Sequence, residues 1–205
     1  LYETEDRHVS GLYRFLPDRP GERGGLHAGG RLEMLAIRGE PGLDTGTGLS
    51  PGRWMDVHWV PIADPTRPHA DPAARDGLGV VSQGREAGGA TFRRGEGIWF
   101  ADGRLFFTAT SGGEAGFGQV FELEPGGTRA PGGGRLRLVF ESSGPEELDR
   151  PDNVTVSPRG GLVLCEDAKQ SRPYLRGLTR DGALFDFAQN DVVLDGERNG
   201  LRGDF

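Results

Sequence analysis

Internal self-similarity is the feature that most narrows the fold. Glu96-Gly97-Ile98-Trp99-Phe100-Ala101-Asp102-Gly103 runs into Arg104-Leu105-Phe106-Phe107-Thr108. In the same way Asp152-Asn153-Val154-Thr155-Val156-Ser157-Pro158-Arg159 runs into Gly160-Gly161-Leu162-Val163-Leu164-Cys165. Each is an apolar run, a polar turn and a second apolar run, the pattern of a β-hairpin. The match continues. Gln119–Leu123, closed by Pro125-Gly126-Gly127, corresponds to Tyr174–Leu178, closed by Arg180-Asp181-Gly182, and Arg135–Phe140 corresponds to Ala183–Phe187. Each unit predicts four short strands. A third copy at the start lacks its first strand and comprises Leu1–Glu5, Gly11–Phe15 with a turn at Pro17-Asp18, and Arg31–Ile37.

Four-stranded meanders repeating at roughly 40–60 residues are the signature of a β-propeller. An antiparallel sandwich with accidental similarity is the competing architecture, and agreement of three copies in strand order and turn position argues against it. The expected fold is all-β, a partial β-propeller of four-stranded antiparallel blades, with residues 1–205 forming one domain. A long irregular insertion, residues 39–93, separates the first copy from the second. It holds one strand-like run, Trp54–Ile62, after which Asp64-Pro65-Thr66-Arg67-Pro68 breaks regular structure. A connection of this length is expected to pack as a loop over one propeller face.

Composition removes the alternatives. The chain carries 36 Gly and 14 Pro. In a helix these cost about 1 and 3 kcal/mol each, which excludes a helical bundle. Recurring apolar runs such as Gly97–Phe107 argue against disorder, and none approaches the roughly 18 residues of a membrane helix. A net charge of −7 disfavours nucleic acid as a partner. The single cysteine, Cys165, rules out an intramolecular disulfide and a cysteine-based zinc cluster. The chain opens at Leu1-Tyr2-Glu3-Thr4 and closes at Gly203-Asp204-Phe205. It reads as a fragment cut at both ends, so the lack of a signal peptide carries no information.

Propeller geometry turns the repeat into a site. With strands a to d running outward from the axis, the start of strand a and the b–c loop share one rim. Glu96 and Asp152 occupy the same position at the start of strand a, and Asn153 follows Asp152. Glu166 and Asp167 end strand b of the last copy, and Glu5 and Asp6 end strand b of the first; the middle copy has Thr110-Ser111-Gly112 there. Carboxylates and an Asn amide without Cys or paired His describe a hard-cation site, and calcium takes about 6–8 oxygen ligands. Arg94 lies two residues before Glu96, on the same side of an extended segment. Either it grips an anionic oxygen ligand such as phosphate, or it pairs with Glu96 itself. Arg93 points the other way. Gly112–Gly118 joins two strands, opens no helix, and reads as a tight b–c loop rather than a dinucleotide fingerprint. Cys165 aligns with Thr108 and Thr4 and is expected to be a small packed residue. The four histidines show no metal-ligand spacing, and Trp99, Phe106, Phe121 and Phe140 are expected in the core between blades.

Taken together, Phe92-Arg93-Arg94-Gly95-Glu96-Gly97-Ile98-Trp99-Phe100, Phe107-Thr108-Ala109-Thr110-Ser111-Gly112-Gly113, Pro151-Asp152-Asn153-Val154-Thr155-Val156-Ser157-Pro158-Arg159-Gly160-Gly161 and Leu164-Cys165-Glu166-Asp167 resemble the PhoX-type alkaline phosphatases. Gly11-Leu12-Tyr13-Arg14-Phe15 after Tyr2-Glu3-Thr4-Glu5-Asp6 is similar to a hairpin of the same family. The resemblance implies a monomeric, exported propeller enzyme that hydrolyses small phosphomonoesters in the periplasm or outside the cell, with a calcium–iron cofactor. It implies that Arg94 binds phosphate and that Glu96 ligates calcium, with Asp152 and then Asp167 completing the calcium shell. Nothing here matches the family's iron-ligating cysteine, and Cys165 sits in a different motif. The expected activity is therefore a metal-dependent phosphomonoesterase belonging to a longer protein, the isolated chain being inactive. The alternatives are a calcium-dependent lactonase-like hydrolase and a non-catalytic propeller whose calcium holds the blades together.

Overall fold

The computed structural model describes residues 1–68, 79–127, 132–168, 172–190, 197–198 and 201–202. Twelve strands form three blades. Blade A contains β1 (Tyr2–Thr4), β2 (Leu12–Pro17), β3 (Gly30–Ile37) and β4 (Trp54–Pro61). Blade B contains β5 (Gly95–Ala101), β6 (Arg104–Ala109), β7 (Gln119–Pro125) and β8 (Gly134–Glu141). Blade C contains β9 (Pro151–Val156), β10 (Leu162–Glu166), β11 (Tyr174–Leu178) and β12 (Leu184–Gln189). Every neighbouring pair within a blade is antiparallel. The chain is an all-β partial propeller, with one short α-helix among the described residues, α1 (Val80–Glu86), in the insertion.

The turns follow from their residues. β5 reverses into β6 through Asp102 and Gly103, both with positive φ (51° and 77°), the backbone of a hairpin turn that Asp-Gly adopts readily. Period-two alternation then divides each strand between two faces. In blade B both faces are apolar. Leu105, Phe107, Ala109, Phe121, Leu123, Leu136 and Leu138 pack against Leu12, Leu35, Ile37, Met55 and Val57 of blade A. On the opposite face Phe106, Val120, Val139 and Phe140 pack against Val154, Leu162, Leu164 and Leu178 of blade C. A blade with two apolar faces is stable only between two others, which is why its strands are buried almost end to end.

The insertion is more regular than the sequence suggests. Its strand-like run is β4, a further strand outside β3, with Glu33 opposite Pro61 and Ile37 opposite Val57. β4 also pairs with β8 through Trp54–Arg137, Met55–Leu136 and Asp56–Arg135, so blades A and B form one eight-stranded sheet. Arg135 and Arg137 both stack over the Trp54 ring, at 4.7 and 4.8 Å. α1 covers the face of blade A away from blade B, where Val81 meets Tyr13, Met34, Ala36, Val60 and Ile62. The described part of the insertion thus extends and covers a blade instead of lying as a loop over the propeller face. Part of it, residues 69–78, lies outside the described residues.

Two expectations about single residues are corrected. Phe106, Phe121 and Phe140 are core residues, but Trp99 is 47% exposed on the inner strand β5. Cys165 is exposed instead of packed. It lies in blade C, whose second face carries exposed Phe185 and Phe187.

Candidate functional site

The inner rim is built by one device used twice. Arg94 and Arg150 each precede an inner strand in the left-handed region, with φ of 55° and 54°. Arg94 N–H donates to Arg7 O of blade A, and Arg150 N–H donates to Phe117 O of blade B. The carbonyl of each arginine accepts from the residue that leaves strand b of its own blade, Thr110 for Arg94 and Asp167 for Arg150, at 2.9 Å in both cases. A threonine on strand b of the preceding blade then reaches the inner strand. Thr4 Oγ1 donates to Glu96 O and Thr108 Oγ1 to Asp152 O. Glu96 and Asp152 therefore hold equivalent places by hydrogen bonding as well as by sequence. β1 corresponds to β6, so blade A lacks its innermost strand and β4 is an added outer one.

Arg94 is held from two sides. Its Nε donates to Asp6 Oδ1 at 2.7 Å and its Nη2 to Asp6 Oδ2 at 3.1 Å, a side-on pair with a carboxylate from blade A. Nη2 also donates to Glu96 Oε1 at 2.7 Å. Asp6, expected at the rim among the candidate cation ligands, is the main partner of Arg94. The guanidinium lowers the Asp6 carboxyl below its usual range. Arg93 turns away to pair with Asp44 of the insertion.

The carboxylates behind Arg94 carry excess negative charge. Glu96 is pushed up to about 7, first by partial burial and then by Asp6 and Asp152, against the lowering effect of Arg94. Asp152 is raised by burial, then by Asp167, and also by Asp6. Arg94 in turn feels Asp6, Glu96 and Asp167. Four carboxylates from three blades thus share the field of one guanidinium. Such a cluster raises its own proton affinity unless another cation joins it. Oxygen donors of this kind fit a hard cation. The shell is not complete: among the described residues no group of three or more His, Cys, Asp or Glu side chains is arranged to hold a metal ion.

The other candidates divide. Asn153 sits at the inner strand crossing, where a Cβ on Gly97 would come within 2.6 Å of its Cα, and its Oδ1 accepts the N–H of Val154 at 2.9 Å. Asp167 is exposed and close enough to act on both Asp152 and Arg94. Glu166 differs from expectation. Its side chain is almost wholly buried, and it accepts from Asp149 N, Tyr174 N and Arg176 Nε at 2.8–3.1 Å. It closes a blade instead of facing the cluster. Glu5 is likewise engaged, by Tyr13 Oη at 2.9 Å and Gly11 N at 3.3 Å. Alternation explains the split, because consecutive residues leaving a strand point to opposite sides. Glu5 and Glu166 face inward to the blade, while Asp6 and Asp167 face the rim. The thiol of Cys165, though the residue is exposed, is raised by partial desolvation and by Asp152, and the described residues do not fit an iron site.

Residues 1–203 match the family model described as alkaline phosphatase PhoX. The fold is similar to a solved structure of Pseudomonas fluorescens PhoX in complex with vanadate, a transition state analogue, with a TM-score of 0.59 and 16% sequence identity. That similarity covers 91% of this chain and 41% of the other, so the chain spans well under half the length of the protein it matches. No match was found among curated proteins.

Proposed function

The chain belongs to the PhoX alkaline phosphatase family, and on that premise we propose that it carries part of the active site of a metal-dependent phosphomonoesterase acting on small phosphorylated substrates. The observation that supports this most is the state of Arg94. Among the described residues its side-chain hydrogen bonds run from Nε and Nη2, which leaves the two N–H groups of Nη1 to bind a phosphoryl oxygen. Beside it, Glu96 and Asp152 would hold calcium, with Asp167 and Asn153 next in reach and the remaining ligands supplied from outside the described residues. When bound, the cation would polarise the phosphoryl oxygens and lower the pKa of a coordinated water. Arg94 would orient the phosphoryl group and neutralise charge that develops on its oxygens. Glu96, once turned to the cation, would free part of the Nη2 edge for the same anion. Export to the periplasm or beyond, and iron as a second metal held by ligands outside the described residues, are further parts of this reading that rest on family membership alone.

The test is hydrolysis of an aryl phosphomonoester by the longer protein that carries this chain, with and without a chelator, followed by an inhibition series with inorganic phosphate. Calcium-dependent turnover inhibited by phosphate and lost in Arg94→Ala supports the reading. Lactone turnover without phosphatase activity would replace it with the lactonase alternative. Calcium-dependent stability with no turnover would replace it with the non-catalytic one.

A further inference from the structure

We propose that Asp6 is the positioning residue for the phosphate-binding arginine: it holds Arg94 by its Nε edge and leaves Nη1 for the substrate oxyanion. The inference rests on the phosphatase reading of the site.

The argument starts from reach. An arginine in an electronegative cluster pairs with whichever carboxylates its flexible side chain can meet, and here Glu96, Asp152 and Asp167 all act on it or on its partners. An arginine neutralised end-on by them would have no edge left for phosphate. The side-on grip of Asp6 prevents this, because two bonds of 2.7 and 3.1 Å fix both the position and the plane of the guanidinium. Glu96 holds only Nη2, and only through one oxygen. Asp6 is also independent of the inner strand. It comes from blade A, while Arg94 and Glu96 belong to blade B, so Arg94 keeps its orientation when Glu96 moves to a cation. The backbone supports the same geometry: Arg94 N–H bonds Arg7 O at 2.8 Å and Gly95 N–H bonds Glu5 O at 3.0 Å, tying both residues that flank Asp6 to the turn that carries Arg94.

The experiment measures inorganic phosphate as a competitive inhibitor of the longer protein that carries this chain, with calcium present, for wild type, Asp6→Asn, Asp6→Glu, Arg94→Ala and the Asp6→Asn/Arg94→Ala double variant. A melting curve is recorded for each. Asp6→Asn should weaken phosphate inhibition about tenfold and raise KM similarly, since the charge-assisted bidentate pair is lost. Asp6→Glu restores a carboxylate of greater reach and should recover part of the loss. In the Arg94→Ala background Asp6→Asn should add nothing, because a residue acting through the guanidinium has no effect without it. Unchanged phosphate inhibition in folded Asp6→Asn, while Arg94→Ala weakens it, overturns the inference and leaves the phosphatase reading standing. If Asp6→Asn does not fold, Asp6→Glu decides: inhibition between those of wild type and Arg94→Ala supports the inference, and inhibition equal to wild type overturns it. Absence of phosphate inhibition in wild type overturns both.

Discussion

Phe92 lies two residues before Arg94 and is the best place to test whether core packing holds the site. Its ring is 1% exposed and meets Phe107 and Phe121 edge-on, with centroids 5.2 Å away in each case; those two stack on each other at 5.1 Å. Its backbone pairs with Ser10 in both directions, and the Ser10 hydroxyl lies 3.3 Å from Gly95 N as its acceptor. Phe92→Ala removes a fully buried ring from a site whose neighbours are β-sheet side chains with little room to collapse. The cost should be about 3–5 kcal/mol, part of it the two edge-to-face contacts at about 0.5–1.5 kcal/mol each. For a chain of this size that corresponds to a melting temperature lower by roughly 10 °C. Phe92→Leu keeps most of the volume and should cost less than about 1.5 kcal/mol. Urea denaturation of the three proteins, followed by tryptophan fluorescence, gives both differences at constant m-value. A cost below about 1 kcal/mol for Phe92→Ala would mean that the contact between blades A and B is not the packed core described, and the placement of Arg94 would fall with it.

The other predictions concern the rim. Because Glu96 sits at about 7 instead of the ordinary 4.5, the folded chain binds more protons than the unfolded one between those values. Its contribution is full below the lower value and is lost as pH rises through the upper one; in chelator the melting temperature should fall over that interval, Glu96→Gln should flatten the fall, and added calcium should reverse it above the interval. A fall unaffected by calcium would mean that Glu96 and Asp152 hold no cation. Arg176→Met leaves the Glu166 carboxylate buried and without its guanidinium, and should cost about 3–5 kcal/mol with phosphate inhibition unchanged. Lost inhibition at unchanged stability would place Glu166 in the site after all. Gly97→Ala sets a Cβ 2.6 Å from the Asn153 backbone, so it should destabilise the chain by about 1–3 kcal/mol and raise the calcium concentration needed for activity. An unaltered calcium requirement would show that the spacing of the inner strands does not govern the cluster.

Much of this arrangement is legible in the sequence because the repeat is. Aligning Thr4, Thr108 and Cys165 puts Glu96 opposite Asp152, and the hydrogen bonds from Thr4 and Thr108 to the carbonyls of those residues follow the same alignment. What the repeat cannot carry is whatever breaks it. The alternation of Trp54–Ile62 marks a strand, but its partner β8 lies about eighty residues on, and no local pattern names it. Glu166 and Asp167 are adjacent and chemically alike, yet one closes a blade and the other faces the rim. The deciding residue is Arg176, on the next strand. The role of Asp6 is hidden in the same way, since its partner is 88 residues away. A like-charge cluster is readable from spacing, but which member takes the lone arginine depends on side-chain reach.

The lacing of β4 to β8 has a mechanical consequence for the cluster. Blades A and B are joined at their inner edge by the bonds around Arg94 and again at their outer edge by a strand ladder. They are thereby tied along two edges into one plate. Blade C forms a separate sheet and meets blade B through apolar packing and the bonds near Arg150. It resembles a door hung from one edge. Asp6, Arg94 and Glu96 all belong to the plate, whereas Asp152 and Asp167 belong to the other sheet. On the proposed reading, the arginine's partners sit within one sheet, and the distance between Glu96 and Asp152 spans the boundary between the two. A cation drawn between them would be felt as a small swing of blade C, while Arg94 stays where the plate holds it.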